Sequence, residues 1–502
     1  MCSLYGISKT KSLETEESLR NSWVLRLHFY MMISNDILNN IKHVHFIGIG
    51  GSGMYPLVQI FHSKGFFITG SDNNETETLD AVRKMGITVY LGQKAENIQG
   101  ADLIIYTAAI LPDNPELCAA KASDAYCCER AEILGLVTSW YENALCVSGT
   151  HGKTTASSML TQIFVEEQVD ISCVIGGKLP CIGGSGKSGT SSTMVCESCE
   201  FEDHFLKLYP DVAIILNVDA DHLEYFKNIE NIIKSFNKFA SMAAKAVIAN
   251  GDDANTMKSV EGLDKEIITF GFDRKNDYSA EITSKKGLQT QFDLYYKGEL
   301  VENMAINVPG DHNVLNALAA AAAARFSGVS WNGVKTGLAN FKGAIRRFQK
   351  IDEVKGVTIV DDYAHHPKEI ECTLKAAKGL DFNRVWAVFQ PFTYSRTKIL
   401  MDDFVSALEI ADIAVVTDIM GSREKNIDGI YTEQLAGKIK GAVWFDTPHE
   451  VVDKQTAEQK NYNFSQCVDY IAKNCQEGDL VITLGCGDVY KLAKMLAKKL
   501  GE

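Results

Sequence analysis

Seven consecutive residues, Gly149-Thr150-His151-Gly152-Lys153-Thr154-Thr155, carry side chains suited to chemistry on phosphate. The apolar run at 144–147 reads as a buried strand leading into them, and 156–160 reads as a helix leading away. A glycine-rich turn between strand and helix aims backbone N–H groups at one point. The positive end of the helix dipole adds to that field. Lys153 supplies a point charge for the outer phosphates, and the Thr154 hydroxyl can hold Mg²⁺. Two residues separate Gly149 from Gly152, where the usual phosphate loop has about four. The implied chemistry is binding of a nucleoside triphosphate. A glycine-rich turn with a stray lysine is the blander reading, and it leaves the order strand, Gly, Gly-Lys, Thr, helix unexplained.

A second glycine motif, Gly48-Ile49-Gly50-Gly51-Ser52-Gly53, follows a strand at 42–47, and Asp72 lies 19 residues beyond Gly53. That spacing suits a bound diphosphate and a ribose. A nicotinamide dinucleotide and a nucleotide sugar meet the requirement equally, so the motif names the group bound and not hydride chemistry. Carboxylates and histidines recur at the ends of other apolar runs. Glu197 and Glu200 follow the polar stretch 183–193, and Asn217-Val218-Asp219-Ala220-Asp221-His222 closes the run 212–217. Ligands in open α/β sheets bind at the carboxyl ends of the strands. Glu200 and His222 are therefore candidate Mg²⁺ ligands near Lys153. The alternative is a surface acid and a helix cap. A third cluster is Asp361-Asp362-Tyr363-Ala364-His365-His366-Pro367, and a fourth runs from Gln390 to Lys398. Both place polar groups on one edge of a further sheet.

The elements that position these residues form three α/β blocks. Strand-like runs at 42–47, 66–70 and 103–107 alternate with helical stretches, which implies parallel sheet with crossover helices. The second block starts at the phosphate turn, includes runs at 212–217 and 246–250, and carries a small antiparallel patch at 279–307. The third has strands expected parallel at 356–362, 384–389, 413–416 and 479–484. The expected organisation is an extension at 1–41, loosely ordered, then domains at 42–138, 139–342 and 343–502. The chain has 502 residues, which suits about three domains. Its net charge of −14 argues against nucleic acid or an anionic membrane as partner. Thirteen scattered cysteines favour a reducing compartment, and cytoplasm is the expected location. Cys196 and Cys199 form a lone C-x-x-C without the second pair a zinc site needs. No apolar run reaches the ~18–20 residues that span a bilayer. Residues 1–31 are expected to be dispensable for activity, and Met31 or Met32 is a possible natural start.

The ordered motifs resemble those of the Mur ligases, the ATP-dependent amide-forming enzymes of peptidoglycan precursor synthesis. The resemblance rests on 149–155, 217–222, Gly310-Asp311-His312-Asn313-Val314-Leu315-Asn316-Ala317, Arg346-Arg347-Phe348 and 361–367, and runs from about Lys42 to the C-terminus. His45 through Met54, Gly70-Ser71-Asp72 and the Tyr363, His365, His366 cluster are most similar to the members that add L-alanine to UDP-N-acetylmuramate. This implies a Rossmann-like first domain for the UDP part, contacted by Gly48, Gly50, Gly51, Ser52, Gly53, Met54, Ser71 and Asp72. It implies a central ATPase-type sheet for ATP and Mg²⁺, and a Rossmann-like last domain that brings the amino acid and closes. Gly149, Thr150, His151, Gly152, Lys153, Thr154 and Thr155 would cradle the phosphates, with Thr154, Glu200 and His222 on the metal. His312, Asn313 and Asn316 would lie near adenine, and Arg347 near the nucleotide. Tyr363, His365, His366 and Arg396 would face the amino acid and the reacting carboxylate.

The implied chemistry is activation of a carboxylate. The γ-phosphoryl of ATP passes to it, the amine of L-alanine attacks the acyl phosphate, and phosphate leaves. Lys153, Mg²⁺ and the helix dipole offset repulsion between two anions. Domain closure keeps water from the acyl phosphate. His366 is the candidate base for the ammonium proton. The chain departs from the family pattern at Cys199-Glu200, at Phe392-Thr393 and at Gln93. Rival readings are a ligase adding a peptide or another amino acid, a sensor without turnover, and an NAD enzyme. A monomer or homodimer is expected.

Overall fold

The computed structural model describes residues 35–421, 424, 426–447 and 457–502. The proposed dispensable segment 1–31 lies outside the described residues. Order begins before the expected first domain: Asn35–Leu38 is helical, Leu38 and Ile41 are buried in the first core, and Trp140 Nε1 donates to Asn35 Oδ1 at 2.7 Å. The end of the extension is therefore packed, because two apolar side chains there cover the first sheet.

The first sheet has five parallel strands in the order Thr88–Leu91, Phe67–Asp72, His43–Ile47, Leu103–Tyr106, Tyr126–Glu129. The chain leaves the central strand at Ile47 and enters the glycine turn at the switch point between its two neighbours, the place where such sheets bind ligands. Alternation along His43–Ile47 sends Val44 and Phe46 into a large core and Ile47 into a smaller one with Ile104, Leu117 and Ala120.

The central sheet has ten strands: Glu299–Ile306, Gln289–Tyr296, Tyr278–Lys286, Glu266–Gly271, Ala246–Asn250, Val212–Ile215, Asn143–Ser148, Thr193–Glu197, Ser172–Leu179 and Gly184–Lys187. The antiparallel patch is a meander of its first three strands, and it is continuous with the parallel part through the pairing of Phe270 and Gly271 with Tyr278 and Ser279. Helices Lys153–Glu166 and Asp311–Phe326 cover one face. The run of alanines from Ala319 to Ala324 is buried, since small side chains let that helix lie close. The polar stretch 183–193 hides an edge strand. A Cβ on Gly186 would sit 2.3 Å from Pro56 Cβ, so the missing side chain lets the first domain dock there.

The third sheet has six strands in the order Gln349–Val354, Val357–Asp362, Asp479–Leu484, Arg384–Phe389, Ile413–Thr417, Val443–Phe445. The four expected strands are parallel, and Gln349–Val354 adds an antiparallel edge that sequence reading did not foresee. Helices on both faces give it two cores. Among the described residues no helix is long and apolar enough to cross a membrane.

Candidate active site

The phosphate turn forms because only glycine tolerates its backbone. Gly149 and Gly152 have φ of 139° and 85°, and a Cβ on Gly152 would lie 2.5 Å from Asn316 Oδ1. Asn217 pins the turn to the neighbouring strand end: its Oδ1 accepts from His151 N at 2.8 Å, and its Nδ2 donates to His151 O at 3.0 Å. Lys153 begins the helix and folds back. Its Nζ donates to Gly149 O at 2.7 Å and Thr150 O at 3.0 Å, and lies 2.8 Å from Glu200 Oε2. Burial disfavours the ammonium, but Glu200 and nearby acids outweigh this and hold its pKa above the ordinary lysine value.

The Thr154 hydroxyl donates to Glu197 Oε1 at 3.0 Å, and Gly176 N donates to Glu197 Oε2 at 2.6 Å. Glu197 ends its strand beside the turn, while Glu200, three residues further, faces Lys153. The expectation for this region rested on Glu200 and passed over Glu197. The signal was available: the last residue of a parallel strand points at the ligand edge. His222 has a left-handed backbone (φ 51°) and packs on the Phe201 ring at 4.8 Å, one residue from Glu200. Among the described residues no three His, Cys, Asp or Glu side chains form a ready metal cage. The hard oxygens of Thr154 and Glu197 fit Mg²⁺, which commonly takes one or two carboxylates and completes its shell with phosphate and water.

A cavity of about 350 Å³ opens from the turn between the central and third domains. Thr150, His151, Gly152, Lys153, Thr154, Thr155 and Glu197 form its phosphate end, and His312, Asn313, Asn316, Phe270 and Phe341 line it further on. Asn316 Nδ2 donates to Asn313 Oδ1 at 3.1 Å, and Asn313 Nδ2 to Pro309 O at 2.6 Å. Burial lowers the pKa of His312 and of His151, so both are neutral near pH 7. The third domain closes the cavity with Arg347, Phe348, Lys368 and Glu369. Lys368 reaches across to pair with Asp219 of the central domain.

The structure brings Tyr363, His365, His366 and Arg347 together at the start of helix Pro367–Lys378. The Arg347 guanidinium lies 5.3 Å from the Tyr363 ring centre, and His365 packs edge-on to Tyr363 at 5.5 Å. Glu369 accepts from His365 N at 3.1 Å and His366 N at 3.3 Å. Burial would raise its pKa, but His365 and Arg347 hold it down at about 2. Burial, partly offset by Glu369, lowers the pKa of His365, which also feels the positive field of Arg396. The Nδ1 of His366 is buried at the N-terminus of that helix, in a capping box with Glu369. Arg346 turns away to pair with Asp361 at 2.9 Å. Thr393 caps helix Tyr394–Ile399, and Phe392 lies edge-on to His365 at 6.5 Å.

In the first domain Gly48 N and Ile49 N donate to Ser71 O at 2.8 and 3.0 Å, and Gly50 N donates to Asp72 Oδ2 at 3.0 Å. Asp72 thus caps the turn from within. Ser71 and Met54 lie buried beneath it, and the Ser71 hydroxyl donates to Glu116. Gly51, Ser52 and Gly53 are at least partly exposed, and Ser185 of the central domain donates to Ser52 O at 2.8 Å. Gln93 Oε1 accepts from Asn73 at 3.0 Å and Asn114 at 2.7 Å beside this turn, a contact that sequence reading did not supply.

Three family descriptions match the chain in order: "Mur ligase family, catalytic domain" at residues 43–141, "Mur ligase middle domain" at 147–324 and "Mur ligase, glutamate ligase domain" at 346–487. The UDP-N-acetylmuramate–L-alanine ligase of Caldanaerobacter subterraneus is 41% identical over 91% of this chain and 97% of its own length. The protein of that name from Lachnospira eligens is 42% identical over 92% of this chain and 99% of its own. The crystal structure of UDP-N-acetylmuramate-alanine ligase from Thermotoga maritima superposes with a TM-score of 0.75 at 26% identity, covering 92% of this chain and 99% of that one. A murein peptide ligase from Psychrobacter arcticus shares the fold, with a TM-score of 0.67. With three family models matched in order between residues 43 and 487, and with relatives near 40% identity over more than nine-tenths of the chain, the chain belongs to the Mur ligase family.

Proposed function

We propose that this chain joins L-alanine to the carboxylate of UDP-N-acetylmuramate, with ATP converted to ADP and phosphate, in peptidoglycan precursor synthesis. The observation that carries the reading is the cavity between two domains. One end holds Lys153, Thr154 and Glu197, and the other domain supplies Arg347, Lys368 and Glu369, with Tyr363 packed beside Arg347. The sugar carboxylate is the acceptor for the γ-phosphoryl, and attack by the alanine amine on the resulting acyl phosphate expels phosphate. Lys153 and the helix dipole offset charge on the triphosphate as it meets this second anion. Thr154 and Glu197, with Glu200 and His222 nearby, would hold Mg²⁺, which would supply further neutralisation. The alanine ammonium must lose a proton before attack, and His366 or a neighbour is the candidate base for it. Closure through Lys368 and Asp219 excludes water from the reactive acyl group. The protein acts in the cytoplasm as a monomer or homodimer.

The test is ADP release by purified protein with Mg²⁺·ATP, UDP-N-acetylmuramate and single amino acids. Release with L-alanine is expected, well above that with glycine or with a peptide. No release with alanine sinks the reading, and release only with a peptide replaces it.

A further inference from the structure

We infer that Glu116 and His45 are positioning residues that set the geometry of the nucleotide-sugar turn from below. The inference rests on the reading of the first domain as the UDP-binding unit. Both residues are fully buried. Glu116 enters from helix Pro115–Ala122, His45 from the central strand and Ser71 from the end of the adjacent strand, so one carboxylate joins three elements. Its Oε2 accepts from Ser71 Oγ at 2.6 Å, and its Oε1 lies 2.8 Å from His45 Nε2. The chain of contacts continues from His45 Nδ1 to Thr69 Oγ1 at 2.7 Å, from that oxygen to His43 Nε2 at 2.8 Å, and from His43 Nδ1 to Gly100 O at 2.8 Å.

A buried charge is costly unless paired and bonded, and an apolar cluster would serve stability as well. What the network adds is a fixed orientation for Ser71. The carbonyl of Ser71 receives both Gly48 N and Ile49 N, and its neighbour Asp72 receives Gly50 N. Glu116 thus governs the turn at one remove, without touching its solvent side.

Glutamine at 116 can close the same two contacts: its amide nitrogen donates to His45 Nε2, and its oxygen accepts from Ser71. Alanine leaves His45 Nε2 and the Ser71 hydroxyl without that partner. The experiment is steady-state kinetics of the full chain with Mg²⁺·ATP and alanine, varying UDP-N-acetylmuramate and then ATP. Glu116→Ala is expected to raise the KM for the nucleotide sugar about tenfold or more, with the KM for ATP unchanged within about twofold, and Glu116→Gln to restore the sugar KM. Ser71→Ala, which cuts the link and keeps the His45 pair, is expected to give the same one-sided shift, and it stands in if Glu116→Ala does not fold. An unchanged sugar KM in the folded variant, or equal shifts for both nucleotides, overturns the inference. Failure of the wild type to bind UDP-N-acetylmuramate in calorimetry would instead remove the reading on which it rests.

Discussion

Lys153 gives the sharpest test, because the structure assigns it both a structural and a chemical debt. Its side chain is 15% exposed and that of Glu200 is 4% exposed. Lys153→Ala strands the Glu200 carboxylate in a nearly dry site. Removing one member of a buried pair costs about 3–5 kcal/mol. Glu200→Ala is milder. The ammonium keeps Gly149 O and Thr150 O, so the loss is about 1.5–3 kcal/mol, that of a charged hydrogen bond. The double variant strands no charge and is expected to fall near the milder single change. The cycle then gives a coupling of about 3–5 kcal/mol, where independent sites add to within about 0.5 kcal/mol. With about 2–4 °C per kcal/mol for a unit of this size, Lys153→Ala lowers the melting transition of the central domain by about 10 °C, and adding Glu200→Ala recovers about half of that.

Activity separates the two debts. Loss of a cation aimed at developing charge costs on the order of 10²–10³ in kcat or more, and removing Glu200 does not replace that cation. Denaturant or thermal unfolding and ADP release are measured on wild type, both singles and the double. Stability is expected to recover in the double while turnover does not. Additive stability losses would refute the buried pair, and near-normal turnover of folded Lys153→Ala would refute the phosphate-turn assignment.

Three further outcomes follow from the same geometry. Glu197→Gln is expected to raise the Mg²⁺ concentration for half-maximal rate about tenfold and Glu200→Gln to raise it less; an unchanged Mg²⁺ dependence removes either residue from the metal shell. Burial lowers the pKa of His312, so below pH ~6.5 the unfolded chain takes up that proton first and the folded state loses stability. Relative to His312→Gln, the wild type is expected to lose up to about 1.4 kcal/mol per pH unit below that point until the folded pKa is reached; denaturation midpoints at pH 7.5 and 5.5 that move in parallel contradict this. The Lys368–Asp219 pair is 46% and 42% exposed, so Lys368→Ala is expected to cost under ~1 kcal/mol and change the KM for ATP less than ~5-fold. A change beyond tenfold would place Lys368 on the nucleotide itself.

The parts of the site that were legible in sequence were those written by the backbone. Gly149 and Gly152 need left-handed or otherwise forbidden conformations, and a run such as 212–217 can only be a strand covered on both faces. Edge strands were less legible. Gly184–Lys187 has almost no side chain to alternate, because its glycines are shaped by the docked Pro56 and not by a pleat. Side-chain contacts were less legible where two chemically equal groups compete. Glu197 and Glu200 are both acids, and only the point at which the strand stops decides which one meets Thr154. Asp72 reads as a ribose ligand by spacing, yet its Oδ2 is engaged by Gly50 N, a contact set by a fold of the turn that spacing does not encode. Glu116 gave no signal at all: an acid in the first turn of a helix ordinarily caps it in solvent, and nothing local says that His45 and Ser71 converge on it.

A common device runs through these contacts. Each cation near the nucleotide cavity already has a carboxylate: Lys153 has Glu200, Lys368 has Asp219, and Arg347 has the field of Glu369. The Thr154 hydroxyl is likewise engaged by Glu197. The arrangement makes binding an exchange of partners. A triphosphate at the turn would compete with Glu200 for Lys153, and Thr154 and Glu197 would hold a divalent cation that would supply further neutralisation. Electrostatic preorganisation here consists of charges held in place by anions that the ligand can outcompete.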